Sequence, residues 1–341
     1  MFGEHRARLI RKFLSDKRGT PIERSCPYVP RHNDVIICGF YRTGTSWLQQ
    51  ILHQIRCGGD ESYNDIDQVV WYIPPFMERL EFDLNADQPT GLIDNRIFRC
   101  HDCFEDAPTP NQGSSLKYIV ITRDPMDVAW SEARSRYRNL GVDKDYDCAA
   151  VTELVADTHE QADKHQLTRP IYYPTYWEHF LSWWPNKEQP NVFWIHYEDL
   201  LKHLRLCIAE LAQFLDVRLT DEQLNTVYEH STYEYMRQNA DKFSGEFLTK
   251  LQSSMLAVAP WRPLIGRVSS TGGATSGQGA LNLIERTKAT IRWNWRHAIE
   301  KLTGFKSYSQ LYAANSLVRL SNIIIENDRV DKHRKKTLHL L

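Results

Sequence analysis

The chain of 341 residues has no long hydrophobic run, no excess of either charge and no paired cysteine motif, and each absence removes a class of protein. Its longest apolar stretches, such as residues 35–38 and 118–122, fall far short of the roughly 20 residues that cross a bilayer. The charged N-terminus also lacks the apolar core of a secretory signal, so a cytoplasmic protein without a membrane partner is expected. Lys plus Arg number 42 against 43 for Asp plus Glu, a formal balance of −1, and no overall field draws the molecule to nucleic acid. The seven cysteines (Cys26, Cys38, Cys57, Cys100, Cys103, Cys148, Cys207) are odd in number and scattered, with neither CxxC spacing nor a matched histidine set. Reduced thiols and no metal site are expected. Internal repeats and long low-complexity tails are absent too. What is there, 42% hydrophobic and 25% charged residues, is the profile of a soluble globular chain with enough apolar mass for a full core.

Three short buried-type runs are each joined to a helical pattern. Asp34-Val35-Ile36-Ile37-Cys38 runs into a glycine turn and then the periodic stretch over 47–52. Lys117-Tyr118-Ile119-Val120-Ile121-Thr122 leads through Arg123-Asp124-Pro125 to a helix over 126–137, with Pro125 near the first turn, where its missing N–H costs nothing. Asn191-Val192-Phe193-Trp194-Ile195-His196-Tyr197 reads as a third strand, preceded by an aromatic helix through Trp177, Phe180, Trp183 and Trp184 and followed by a helix over 200–215. This alternation predicts an α/β single domain over 32–325, a central parallel sheet flanked by helices on both faces. A basic N-terminal arm (1–31) precedes it and a C-terminal tail (326–341) follows. Residues 60–88, rich in aromatics and acids, and residues 242–279, rich at their end in Ser, Thr and Gly, read as lid segments.

The chemistry concentrates after the first strand, in Gly39-Phe40-Tyr41-Arg42-Thr43-Gly44-Thr45-Ser46-Trp47. A glycine-bounded turn that opens onto a helix N-terminus aims backbone N–H groups at an anion. This loop is P-loop-like, yet the lysine that follows the second glycine of a nucleotide triphosphatase is missing and the cation, Arg42, lies inside the turn. The strand ending in Arg123 offers no magnesium-binding aspartate at the corresponding place. A nucleotide handled without metal fits better than phosphoryl transfer, and a magnesium-dependent nucleotide or small-molecule kinase stands as the alternative.

The loop resembles the 5′-phosphosulfate loop of the cytosolic sulfotransferases, usually Tyr-Pro-Lys-Ser-Gly-Thr-Thr-Trp and here Phe40-Tyr41-Arg42-Thr43-Gly44-Thr45-Ser46-Trp47. Further motifs follow in the family's order. Arg123 at a strand end with Ser131 eight residues on is similar to its 3′-phosphate motif, and Arg99-Cys100-His101-Asp102-Cys103 to its Lys-Thr-His-Leu-Pro segment. Trp183-Trp184, Tyr197-Glu198-Asp199-Leu200 and His230-Ser231-Thr232-Tyr233 come next. The resemblance implies a sulfotransferase that uses 3′-phosphoadenosine-5′-phosphosulfate (PAPS) and releases adenosine 3′,5′-bisphosphate (PAP), with a small-molecule acceptor and no metal. It places Arg42, Thr43, Gly44, Thr45 and Ser46 on the 5′-phosphate, and Trp47, Tyr197, Ser231 and Tyr233 about the adenine. Arg123 and Ser131 fall on the 3′-phosphate, with Arg267 and Gly272 in a closing loop. His101 is the implied general base, and Arg42 and Arg99 the implied cations on the transferring group.

Departures from the family pattern are specific. Arginine replaces lysine at both Arg42 and Arg99, which keeps the charge but exchanges a compact ammonium for a planar fork. A non-catalytic PAP-binding protein is therefore a second alternative. The family's Lys-x-x-x-Thr-Val-x-x-x-Glu dimer motif is missing, so a monomer or a non-conventional dimer is expected. The acceptor pocket is expected to be lined by residues 60–88, the residues after His101 and the segment from Tyr172, with Trp71, Tyr72, Phe76 and Phe82 as walls and Asp65, Asp67, Glu78, Glu81 and Asp102 as acids. Asp102 stands where the family has an apolar residue, which points to a polar or cationic acceptor or to tuning of His101.

Overall fold

The computed structural model describes residues 28–73, 83–110, 115–139, 175–247 and 275–318. Phe76, Glu78, Glu81, Phe82, Tyr172, Arg267 and Gly272, the tail and nearly all of the N-terminal arm lie outside the described residues, as does most of the second lid segment.

Five parallel strands form one sheet in the order β2-β3-β1-β4-β5: β1 (Asp34–Gly39), β2 (Trp71–Tyr72), β3 (Ile97–Cys100), β4 (Leu116–Thr122) and β5 (Val192–His196). The centre is β1, every residue of which is buried, as expected of a strand covered on both faces. Register brings the strand ends level: Cys38 lies opposite Cys100, Gly39 opposite Ile121, and Thr122 opposite His196. Residues that follow these ends therefore converge on one edge of the sheet, where open α/β sheets bind ligands.

One face is covered by α1 (Thr45–Cys57) and by α4 (Tyr197–Phe214), with α5 (Asp221–His230) and α6 (Tyr233–Gln238) beyond them; α2 (Pro125–Asn139) and α3 (Tyr176–Trp183) serve the other side. Leu48, Ile51, Leu52 and Ile55 of α1 pack on Val35, Ile37, Ile97 and Ile119. Each such fully buried side chain contributes about 1.5–3 kcal/mol, so α1 is fixed firmly behind the loop that starts it. The other face is aromatic: Trp183 packs with Ile36, Phe98, Tyr118 and Val120, and Phe180 stacks on Trp184 beside Trp295. These tryptophans are core. On the same side lie α7 (Gln278–Asn282), α8 (Glu285–Asn294) with a π turn at Trp295–Ile299, and α9 (Tyr308–Asn315). Among the described residues no helix is long and apolar enough to cross a membrane.

Two details differ from the sequence reading. Tyr197 is the first residue of α4, not the end of a strand, because the Asp199 carboxylate turns back to accept from the His196 N–H (3.4 Å) and starts the helix there. Within residues 60–88, Ile66–Gln68 form a 3₁₀ turn and Trp71–Tyr72 are the sheet's edge strand.

Candidate functional site

At the end of β1 the chain must reverse within a few residues. Arg42 takes a left-handed φ of 66° and Gly44 one of 110°, and Gly44 then caps α1, its carbonyl accepting from the Trp47 and Leu48 N–H groups. A side chain at Gly44 would meet the Tyr197 ring at 2.8 Å, so both conformation and space call for glycine. Thr43 closes the loop on itself, donating from N (3.3 Å) and from Oγ1 (2.6 Å) to the Phe40 carbonyl. The first-turn N–H groups at 44–46 are those a helix leaves without internal partners, and they face the edge where an anion would sit.

Beside this loop the structure gathers residues that are distant in sequence. Arg42 Nε donates to Ser131 Oγ (3.1 Å), and Arg123 Nη1 donates to the Arg42 carbonyl (3.2 Å). The Arg123 guanidinium lies over the Tyr197 ring at 4.0 Å, and its Nη2 reaches the Thr275 carbonyl (3.1 Å). Trp47 meets Tyr197 edge to face (5.7 Å) and donates from Nε1 to the Ser231 carbonyl (2.7 Å). Tyr233 opens α6 and packs on the same core, half-buried. Two polar atoms here, Arg123 Nε and Ser231 Oγ, are buried with no hydrogen-bond partner among the described residues. Such atoms are costly unless a ligand satisfies them.

His101 follows β3 directly. Its Nδ1 lies 2.6 Å from the Gly39 carbonyl, which can only accept, so Nδ1 carries the proton and Nε2 holds the ring's lone pair. The ring is buried, stacked by Tyr41 (4.0 Å between centroids, 34°) and flanked by Tyr72 (5.6 Å). Arg99, two residues earlier on the same face, places its guanidinium 4.8 Å over Tyr72 and 3.7 Å from Asp67 Oδ1. Asp102 is buried, and its carbonyl accepts from Trp183 Nε1 (3.0 Å). Trp71 is not brought to His101: strand alternation turns it to the opposite face, where it is packed against Phe98. Asp65 and Asp67 are buried as well, Asp65 capping the 3₁₀ turn and Asp67 also accepting from Gln49 Nε2, so they support the floor rather than line a pocket.

Supporting groups were invisible to pattern reading. Behind Arg123, Glu198 accepts from the Asp124 N–H (3.3 Å) and from Tyr308 Oη (2.6 Å), and Tyr308 is bonded in turn to His196 Nδ1 (3.0 Å). Burial pushes the Glu198 carboxyl up to about 7 and that of Asp124 up to about 6. Asp127, fully buried at the start of α2, accepts from the Gly277 and Gly279 N–H groups at 2.7 Å each and ties the end of the 242–279 segment to the site. An acid in a helix's first turn was the only sequence signal for it.

At the far end of α1 the possible ligand atoms of His53, Cys57 and Asp60 fall within 4.8 Å of one another. Arg56 Nη2 donates to His53 Nδ1 (2.9 Å), so the proton sits on Nε2, the nitrogen nearer the Cys57 thiol (3.8 Å). That nitrogen has no lone pair to give a cation.

The topology is that of a parallel α/β fold whose loops converge at one edge of the sheet, and comparison with known proteins supplies the family. A model described as the sulfotransferase domain matches residues 32–256. The chain belongs to the sulfotransferase family, and its class of activity is sulfonate transfer. Relatives include sulfotransferase 1B1 of Canis lupus familiaris, 24% identical over 67% of this chain and 77% of the relative. Another is the amine sulfotransferase of Oryctolagus cuniculus, 26% identical over 67% of this chain and 74% of the relative. Among solved structures, retinol dehydratase in a complex with retinol and PAP shares the fold at a TM-score of 0.57, with 20% identity over 86% of this chain and 87% of that one.

Proposed function

We propose that this sulfotransferase moves a sulfonate from PAPS to a hydroxyl or amine of a small polar or cationic acceptor, with His101 as general base. The observation that carries the reading is the His101 Nδ1 contact with the Gly39 carbonyl, which leaves Nε2 as the proton acceptor at the strand edge, next to the anion loop. The residues present fit the nucleotide: Ser231 Oγ and Arg123 Nε are buried donors without a partner among the described residues, and the loop leads into the N-terminus of α1, whose first-turn N–H groups suit a 5′-phosphate. Arg42, Thr43, Gly44, Thr45 and Ser46 would hold that phosphate, Arg123 and Ser131 the 3′-phosphate, and Trp47, Tyr197, Ser231 and Tyr233 the adenine. When bound, PAPS supplies an activated sulfonate, whose S–O bond to the 5′-phosphate breaks as the bond to the acceptor forms. His101 Nε2 takes the acceptor's O–H or N–H proton, and Arg42 stabilises negative charge on the departing phosphate oxygen. Arg99, held by Asp67 and Tyr72 on the same face, adds positive charge near the sulfonate.

Asp102 supports the cationic acceptor class, since an acid is buried immediately after the base. A relative named amine sulfotransferase is in keeping with it. The test uses two variants. His101→Ala is expected to lose turnover at least 100-fold while PAP still raises the melting temperature; turnover near wild type removes His101 from the role. Asp102→Leu is expected to lose activity on amines and keep activity on phenols, and unchanged selectivity rejects the acceptor class.

A further inference from the structure

We propose that Tyr41 is a positioning residue for His101, holding the imidazole plane and stabilising the imidazolium that forms when the ring takes up a proton. The inference rests on His101 being the base. Tyr41 occupies the loop position where the resembling motif has proline, so its ring is an addition of this chain. Its centroid lies 4.0 Å from that of His101 at an interplanar angle of 34°, closer than the ring's other aromatic neighbour, Tyr72, at 5.6 Å and 51°. Phe40 braces Tyr41 edge to face (5.7 Å, 85°) and is itself locked against Tyr176 (5.7 Å).

The geometry divides the work. The Gly39 carbonyl fixes which nitrogen is protonated but leaves rotation about that hydrogen bond, and a ring laid over the imidazole removes it. The electron-rich face of a tyrosine attracts a cation by about 0.5–2 kcal/mol, and His101 becomes cationic only after it has abstracted the proton. The contact thus strengthens as the reaction proceeds, which is the condition for lowering a barrier. Other groups around the ring act differently. Arg99 opposes the imidazolium, Asp67 3.7 Å from that guanidinium offsets it, Tyr72 contacts both the Arg99 guanidinium and, tilted, the His101 ring, and the buried Asp102 follows in the chain. Tyr41 is the contact that favours the cation through its face at short range.

The experiment follows the His101 imidazole by NMR across pH 5–8 in the full chain, with its resonances assigned by their loss in His101→Asn, beside the pH profile of kcat. In Tyr41→Leu the His101 titration midpoint is expected to fall by about half a unit to one unit, with kcat down roughly tenfold and PAP affinity within twofold of wild type. The acid limb of the rate profile should move down with the midpoint, and Tyr41→Phe, which keeps the ring, should restore both. An unmoved midpoint in a Tyr41→Leu protein that still melts cooperatively and binds PAP overturns the proposal, as does a midpoint that moves equally in Tyr41→Phe. A moved midpoint with a rate profile that does not follow it overturns instead the assignment of His101 as base, and with it the catalytic part of the proposal.

Discussion

Removing the Arg123 guanidinium separates two roles that the structure superimposes on one side chain. Arg123 holds the phosphate loop through the Arg42 carbonyl and the 275 segment through the Thr275 carbonyl, and it keeps Nε buried with no partner among the described residues. If Nε and the free edge of the fork take the 3′-phosphate, the ligand gains charge-assisted hydrogen bonds that a half-exposed site discounts to about 2–3 kcal/mol, or roughly 30- to 150-fold in Kd. The assay is a cycle of two changes, Arg123→Ala on the protein and loss of the 3′-phosphate on the ligand, comparing PAP with adenosine 5′-phosphate. Each affinity is read from the ligand-induced rise in melting temperature above that variant's own unliganded value. Wild type should prefer PAP by the factor above, and Arg123→Ala should bind the two ligands alike. Equal weakening of both in Arg123→Ala would refute the argument, because it would mean that the guanidinium serves only the loop.

Stability should rise from acid pH and level off above about pH 7, where two opposing titrations come into balance. Burial holds His53, His179 and His196 down at about 3, so below pH 6.5 the unfolded chain binds protons that the native state refuses, and stability falls as pH falls. Glu198, raised to about 7, keeps its proton in the native state where the unfolded chain has lost it, so its own contribution falls between about pH 4.5 and 7 and offsets part of the histidine rise. Melting curves at constant ionic strength check the balance, and a stability that falls between about pH 5 and 7 contradicts it. Asp127→Asn should free the segment that Asp127 anchors, since an amide presents one acceptor to two N–H donors at 2.7 Å and one charge-assisted bond, about 1.5–3 kcal/mol, is lost. Faster amide exchange at Gly277 and Gly279 with little change in the sheet is the expected signature, and unchanged exchange rejects it.

What could be read from the sequence was what repeats or what is long. The runs at 34–38, 117–122 and 191–197 stood out because several branched or aromatic residues follow one another between turns, and α1 because of its apolar stretch over 47–52. The two strands that carry the Arg99 and Tyr72 side chains did not. Ile97–Cys100 is four residues with an arginine inside, and Trp71–Tyr72 is only two, too short for any period to register. The loop chemistry was legible, while the side chains' directions were not. Asp67 looks like a pocket acid until the fold sets Arg99 and Gln49 against it, and Trp71 looks like a wall until alternation sends it to the other face. The left-handed φ of Arg42 has no local signal either, since arginine rarely adopts it.

The level strand ends have a bearing on how the chain acquires its activity in time. Gly39 and His101, which share a hydrogen bond, are 62 residues apart, and Trp47 and Ser231 are 184 apart. Each of these meetings needs a long loop to close before any contact rewards it, and parallel sheets with such distant pairings fold slowly. If Ser231 walls the nucleotide site as proposed, no early fragment can hold the nucleotide, for that residue arrives only after all five strands have been made. Ligand binding is then a report on the completed sheet, and a nascent chain shorter than about two thirds of the whole passes through synthesis without a working site.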